Sequence, residues 1–204
     1  MPIRVTLVGH SYVRRLRDYR IGQGDDESRL TVDGTEMQLS YVFQGGVNFK
    51  FFNSSGSHKT EIIKSNPEVI VVILGGNGVS SGTDIPLVSA EMRKFHAWLR
   101  EVCPEAITIA SESEPRFDKN PDQRGNNVPE SHWCRRNAFN LAVGRMLKKR
   151  KCDFVLRTST YLNHREFYDR FGYHLSDRGN HFYWGLVKET LARAVQKYRL
   201  GSKD

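Results

Sequence analysis

Five short apolar runs, at residues 3–8, 37–43, 69–74, 106–110 and 154–156, punctuate the chain at wide intervals. Runs of this length rich in Val, Ile and Leu read as strands buried on both faces, and two-sided burial is characteristic of a parallel sheet. The spaces between them carry apolar residues at helical spacing. Val88, Met92, Phe95, Leu99 and Val102 form one stripe, Phe139, Ala142, Val143 and Met146 a second, and Tyr183, Val187, Leu191, Ala194 and Tyr198 a third. Strands that alternate with helices predict an α/β three-layer sandwich, a five-stranded parallel sheet with right-handed crossovers covering both faces.

Such sheets bind ligands at the carboxyl ends of their strands, so the residues that follow each run are the candidates for chemistry. At 204 residues the chain is within the size of one domain, expected to span 1–204. No apolar run approaches the roughly 20 residues of a membrane-spanning helix, and the N-terminal run is shorter than the apolar core of about 7 residues in a signal peptide. Neither membrane insertion nor secretion is expected. Cys103, Cys134 and Cys152 are odd in number, with no CxxC pair and no zinc-finger spacing, which predicts free thiols in a reducing compartment, the cytoplasm, and no metal.

A net charge of +8 would favour nucleic acid or another polyanion as a partner. The densest run, Lys148-Lys149-Arg150-Lys151, falls at the end of a predicted helix, where the macrodipole favours cations whatever the function. The second reading outweighs the first. Residues 111–131, with Pro115, Pro121, Gly125 and Pro129 among polar residues, are expected to form a long irregular loop, and residues 22–28 a shorter one.

The first run ends in Gly9-His10-Ser11 and leads into a helical stretch over residues 12–19. A hydroxyl there stands beside a helix N-terminus, where partial positive charge accumulates, but serine is equally a favoured helix cap. The second run leads into Gly45-Gly46 and the third into Gly75-Gly76-Asn77. Paired glycines let backbone N–H groups approach a ligand, and an asparagine adds an amide donor; taken singly, each pair reads equally as a tight turn. Near the C-terminus, His174 sits in a loop that follows the last strand, within reach of a serine at the end of the first. Ser176 and Asp177 are plausible caps for the last helix, and His181 reads as a packed or exposed residue on it.

Gly9-His10-Ser11, a glycine after the second strand, Gly75-Gly76-Asn77 and Gly172-Tyr173-His174-Leu175 resemble, in order and spacing, the four sequence blocks of the SGNH hydrolases, also called the GDSL esterase/lipase family. The resemblance implies a flavodoxin-like three-layer α/β/α sandwich and a serine esterase acting without a cofactor on a small ester. It makes Ser11 the nucleophile and His174 the base. The oxyanion would be held by the backbone N–H groups of Ser11 and Gly46, with Gly45 the alternative to Gly46, and by the Asn77 amide.

Three positions depart from the family pattern. His10 stands where the first block has aspartate, and Gly78 where the third has aspartate. Phe171 occupies the place of the triad acid, three residues before His174. Loss of such an acid can cost about ten-thousand-fold in rate. Asp169 would have to substitute, or a backbone carbonyl would orient His174 in a serine–histidine dyad, which is the preferred reading. The opening and closing blocks also look similar to SGNH domains encoded within animal retroelements. Two functions remain in competition: a short-chain esterase, of which a deacetylase is one form, and an SGNH-fold module that binds RNA or protein through its basic surface.

Overall fold

The computed structural model describes residues 1–117, 130–148, 153–158 and 160–201. Its sheet contains β1 (Ile3–Gly9), β2 (Arg29–Val32), β3 (Thr35–Phe43), β4 (Val69–Ile73), β5 (Ile107–Ser111) and β6 (Phe154–Leu156), in the order β2-β3-β1-β4-β5-β6. The five strands read from the sequence are all present and mutually parallel. The sheet is nevertheless six-stranded and mixed, which corrects the expectation of five parallel strands: β2 pairs antiparallel with the outer side of β3. A hairpin turn makes this possible, with Asp33 at φ 48° and Gly34 at φ 70°, the left-handed pair that a two-residue loop requires.

Period-two alternation sorts the buried residues onto two faces. Val69, Val71 and Ile73 join Leu7, Val13, Leu16, Val187 and Leu191 under α1 (Ser11–Gly22) and α7 (Asp177–Gly201). Ile70 and Val72 join Val8, Phe52, Met92, Phe95, Leu99, Phe139 and Val143 on the other face. That face is covered by α2 (Phe49–Ser54), α3 (Gly56–Lys64), α4 (Gly76–Ser80), α5 (Ile85–Val102) and α6 (Glu130–Leu147). Two apolar layers around one sheet account for the sandwich. The three stripes lie on α5, α6 and α7 and turn their apolar sides inward.

Smaller features follow the local chemistry. Ser176 caps α7 by accepting from the Gly179 N–H at 3.2 Å, and His181 lies exposed with Nδ1 2.9 Å from the Tyr19 hydroxyl. The polar loop after α1 is organised by buried Arg20, which donates to the carbonyls of Asp26, Glu27 and Arg29. The long segment expected to be irregular is shorter at both ends, since Ser111 closes β5 and Glu130 opens α6; residues 118–129 within it lie outside the described residues. Of the basic run, Lys148 follows α6 directly, while residues 149–151 lie outside the described set, as does Cys152. Cys103 and Cys134 are free. No helix among the described residues is long and apolar enough to cross a membrane.

Candidate active site

The strand order fixes where a site can form. From β1 the chain passes to α1 on one face, and from neighbouring β4 to α4 on the other, leaving a crevice at the carboxyl ends of both strands. Ser11 opens the helix that follows one strand, and Asn77 lies at the start of the helix that follows the other.

The turn before Ser11 is tight. A Cβ on Gly9 would fall 2.3 Å from the Ile73 carbonyl oxygen and 2.6 Å from Val13 Cγ2, so only glycine lets β1 run this close to β4 and α1. The helix cap is His10, whose Nδ1 accepts from the Tyr12 N–H at 3.4 Å. Ser11 therefore is not the cap. Its hydroxyl has no hydrogen-bond partner among the described residues, and the capping acceptor is the His10 imidazole. Burial, then the charges of Arg116 and His174, hold His10 down to about 3, which keeps Nδ1 an acceptor at neutral pH.

The loop after β3 is anchored by the Gln44 N–H, which donates to the Gly9 carbonyl at 3.1 Å. Gly46 follows at φ +76°, a conformation that L side chains rarely adopt. The N–H groups of Gly45 and Gly46 have no acceptor among the described residues. Asn77 Nδ2 donates to the Val47 carbonyl at 2.9 Å, which leaves its second hydrogen available, and Asn77 Oδ1 accepts from Arg116 Nη2 at 2.7 Å.

His174 sits on a braced loop. Its backbone carbonyl accepts from the Asp169 N–H at 2.7 Å, and Tyr168 bridges to Leu175. The Arg165 guanidinium donates to the carbonyls of Tyr168, Asp169 and Arg170. Two further bonds tie this loop to the rest of the edge: Phe117 N–H to Gly172 O at 3.1 Å, and Tyr12 hydroxyl to Tyr173 O at 3.0 Å. Tyr12, next to Ser11 in the chain, brings its ring centroid 5.9 Å from that of His174. No hydrogen bond joins Ser11 to His174 among the described residues.

The acid position is where the geometry departs most from a triad. Phe171 is 49% exposed and lies under the Arg170 guanidinium, which is 4.6 Å from its ring centroid. The Asp169 carboxylate turns into its own loop, with Oδ1 accepting from the N–H groups of Phe171 at 3.1 Å and Tyr173 at 3.3 Å. His174 Nδ1 is buried with no partner among the described residues, so neither Asp169 nor a described backbone carbonyl holds the ring. Burial pushes the His174 imidazole below its ordinary value; Arg15, Arg116 and Arg14 add to this, and Asp169 only partly opposes them. A neutral imidazole is the form that accepts a proton.

Sequence reasoning missed several residues of this edge. Arg116 emerges from an irregular segment with no spacing to any motif. Tyr12 is hidden inside a helical pattern, yet ties α1 to the His174 loop. Glu114 is buried at the same edge, pushed up to about 7 chiefly by burial, with Ser111 Oγ 3.3 Å from its Oε1.

No family model and no curated protein matches the sequence. Among solved structures, a carbohydrate esterase family 3 protein from Talaromyces cellulolyticus superposes with a TM-score of 0.68 at 13% identity, covering 96% of this chain and 99% of that one. A mutant acetyl esterase with acetate ion gives 0.68 at 12% identity, with the same coverage. A GDSL-like lipase from Bacteroides thetaiotaomicron gives 0.62 at 14% identity, over 95% of this chain and 88% of the other. The chain has the fold of the SGNH, or GDSL-type, hydrolases.

Proposed function

We propose that the protein is a serine esterase that hydrolyses a short-chain, acetyl-type ester through an acyl-serine intermediate at Ser11. What supports this reading is that Ser11 and Asn77 begin the helices after neighbouring β1 and β4, that Asn77 bonds the Val47 carbonyl next to Gly46, and that the Tyr12 hydroxyl ties α1 to the His174 loop, on a fold shared with esterases. Ser11 Oγ attacks the ester carbonyl as its proton passes to His174. The oxyanion is held by the N–H groups of Ser11 and Gly46 and by the free hydrogen of Asn77 Nδ2. The protonated His174 then delivers its proton to the departing alcohol. Water, activated by the same imidazole, releases the acid from Ser11.

We read the pair as a dyad without an orienting acid: Asp169 Oδ1 accepts from two backbone donors of its own loop, and neither Asp169 nor a described carbonyl bonds His174 Nδ1. The free thiols suit a reducing compartment such as the cytoplasm.

A second reading is favoured by Phe171 at the acid position and by the charge of +8: an SGNH-fold module, as in retroelement-encoded domains, that binds RNA through its basic surface. Hydrolysis of 4-nitrophenyl acetate by the wild type, Ser11→Ala and His174→Ala separates the two. The esterase reading expects turnover that both substitutions abolish. Absence of turnover in the folded wild type, with salt-sensitive RNA binding, supports the module.

A further inference from the structure

Arg116 stands out as a cation in this site that forms no salt bridge among the described residues, although buried Glu114 feels its charge. Its Nη2 donates to Asn77 Oδ1 at 2.7 Å, and its guanidinium lies 5.6 Å from the centroid of the Tyr173 ring, next to His174. It therefore spans the crevice from the oxyanion side to the base side. No carboxylate among the described residues comes within ion-pairing distance of it. One of five guanidinium donors is used by Asn77, and the remaining fork suits a carboxylate or phosphate.

The surroundings add positive charge. Arg14 and Arg15 on α1 lie close enough to depress the His174 imidazole, and neither forms an ion pair with a described residue. Two acids close by, Asp169 and Glu114, offset them in part, leaving three guanidiniums against one carboxylate and one buried carboxyl. The Asp169 carboxylate accepts from two N–H groups of its own loop, and Glu114 is buried, with burial raising it to about 7. A cleft with an excess of one sign of charge concentrates oppositely charged substrate.

We infer that Arg116 forms an anion subsite in this crevice, so that the preferred substrate is an ester bearing a negative charge, a carboxylate or phosphate, close to the scissile bond. This rests on the esterase reading and names its substrate class. A charge pair about 5 Å apart in a partly exposed cleft favours the anion by about ten-fold. The advantage falls as salt rises, because the subsite is open to solvent.

The test compares kcat/KM within two matched pairs, each normalised to its rate of hydroxide hydrolysis. On the alcohol side the pair is 4-acetoxybenzoate and its methyl ester; on the acyl side it is mono-4-nitrophenyl adipate and 4-nitrophenyl hexanoate. The inference expects about ten-fold preference for the anion in at least one pair. Arg116→Gln should bring that preference close to one, Arg116→Lys should retain part of it, and salt at about 0.5 M should diminish it. Hydrolysis of the neutral esters with no anion preference in either pair, or a preference that survives Arg116→Gln, overturns the subsite and leaves the esterase standing. Failure of the folded protein to hydrolyse all four esters overturns both.

Discussion

Arg116 Nη2 and Asn77 Oδ1 are joined by a 2.7 Å hydrogen bond, and this bond decides which way the Asn77 amide faces. With its oxygen held by a guanidinium, the Asn77 amide donates one hydrogen to Val47 O and keeps the other, the one the esterase reading assigns to the oxyanion. The cation also polarises the amide in the direction that strengthens it as a donor.

Asn77→Ala is accordingly expected to lower kcat on 4-nitrophenyl acetate by about a hundred- to a thousand-fold, with little change in KM, since the donor acts on charge that develops in the transition state. Asn77→Asp should be at least as damaging, because a carboxylate would pair with Arg116 and set a negative charge against the oxyanion.

Asp169 distinguishes dyad from triad. Asn at this position retains an oxygen for the N–H groups of Phe171 and Tyr173, so Asp169→Asn is expected to keep the loop and to cost less than about ten-fold in kcat. A loss near about ten-thousand-fold would make Asp169 the triad acid after all. Asp169→Ala removes the turn and should cost about 1 kcal/mol of stability, read from urea denaturation.

In the esterase reading His174 is expected to set the acid limb of the pH profile. Its folded value lies below 6.5, chiefly through burial and then Arg15, so the neutral, proton-accepting form persists below that pH. The ascending limb of kcat/KM should therefore have its midpoint below 6.5. Arg15→Gln removes one of the depressing charges and should move the midpoint upward.

Stability should fall on acidification. Burial first of all depresses His10 and His96 to about 3 and His132 to about 4. These groups bind protons in the unfolded chain below 6.5 but not in the folded one. Their contribution is complete above that pH and is lost as pH falls toward the folded values. Glu114 acts in the opposite sense, since its folded value of about 7 lies above the unfolded one, so its contribution is present below about 4.5 and is lost as pH rises through 7. Three histidines outweigh one carboxyl. Between about pH 6 and 4.5 the unfolding free energy should drop by about 3 kcal/mol per pH unit, measurable by denaturant titration.

The parallel core of the sheet was legible in the sequence because each of its strands is rich in apolar residues, leaving a run that needs no tertiary information. β2 was not, because Arg29–Val32 alternates between exposed and half-buried residues over only four positions. The Asp33-Gly34 turn was its one available signal. The helices at Phe49–Ser54 and Gly56–Lys64 escaped for another reason: Ser54-Ser55-Gly56-Ser57 reads as a loop, and the flanking segments are too short to establish a helical period. Ser11, Gly46, Asn77 and His174 could be proposed because three of them follow strand ends and the fourth a loop after the last strand, and because together they resemble the SGNH blocks in order and spacing. The surroundings of His174 could not, since the direction of the Asp169 carboxylate depends on loop dihedrals, and Arg116 reaches Asn77 across 39 positions of chain.

The central claim is that Ser11 is a nucleophile activated by His174. Its most direct measurement is intact-protein and peptide mass spectrometry after treatment with a fluorophosphonate ester. The account predicts one phosphonyl group per chain, on Ser11, forming far more slowly in His174→Ala and not at all in Ser11→Ala. Modification of the folded protein at another residue, or no modification of Ser11 under conditions that label an active serine esterase, would contradict it.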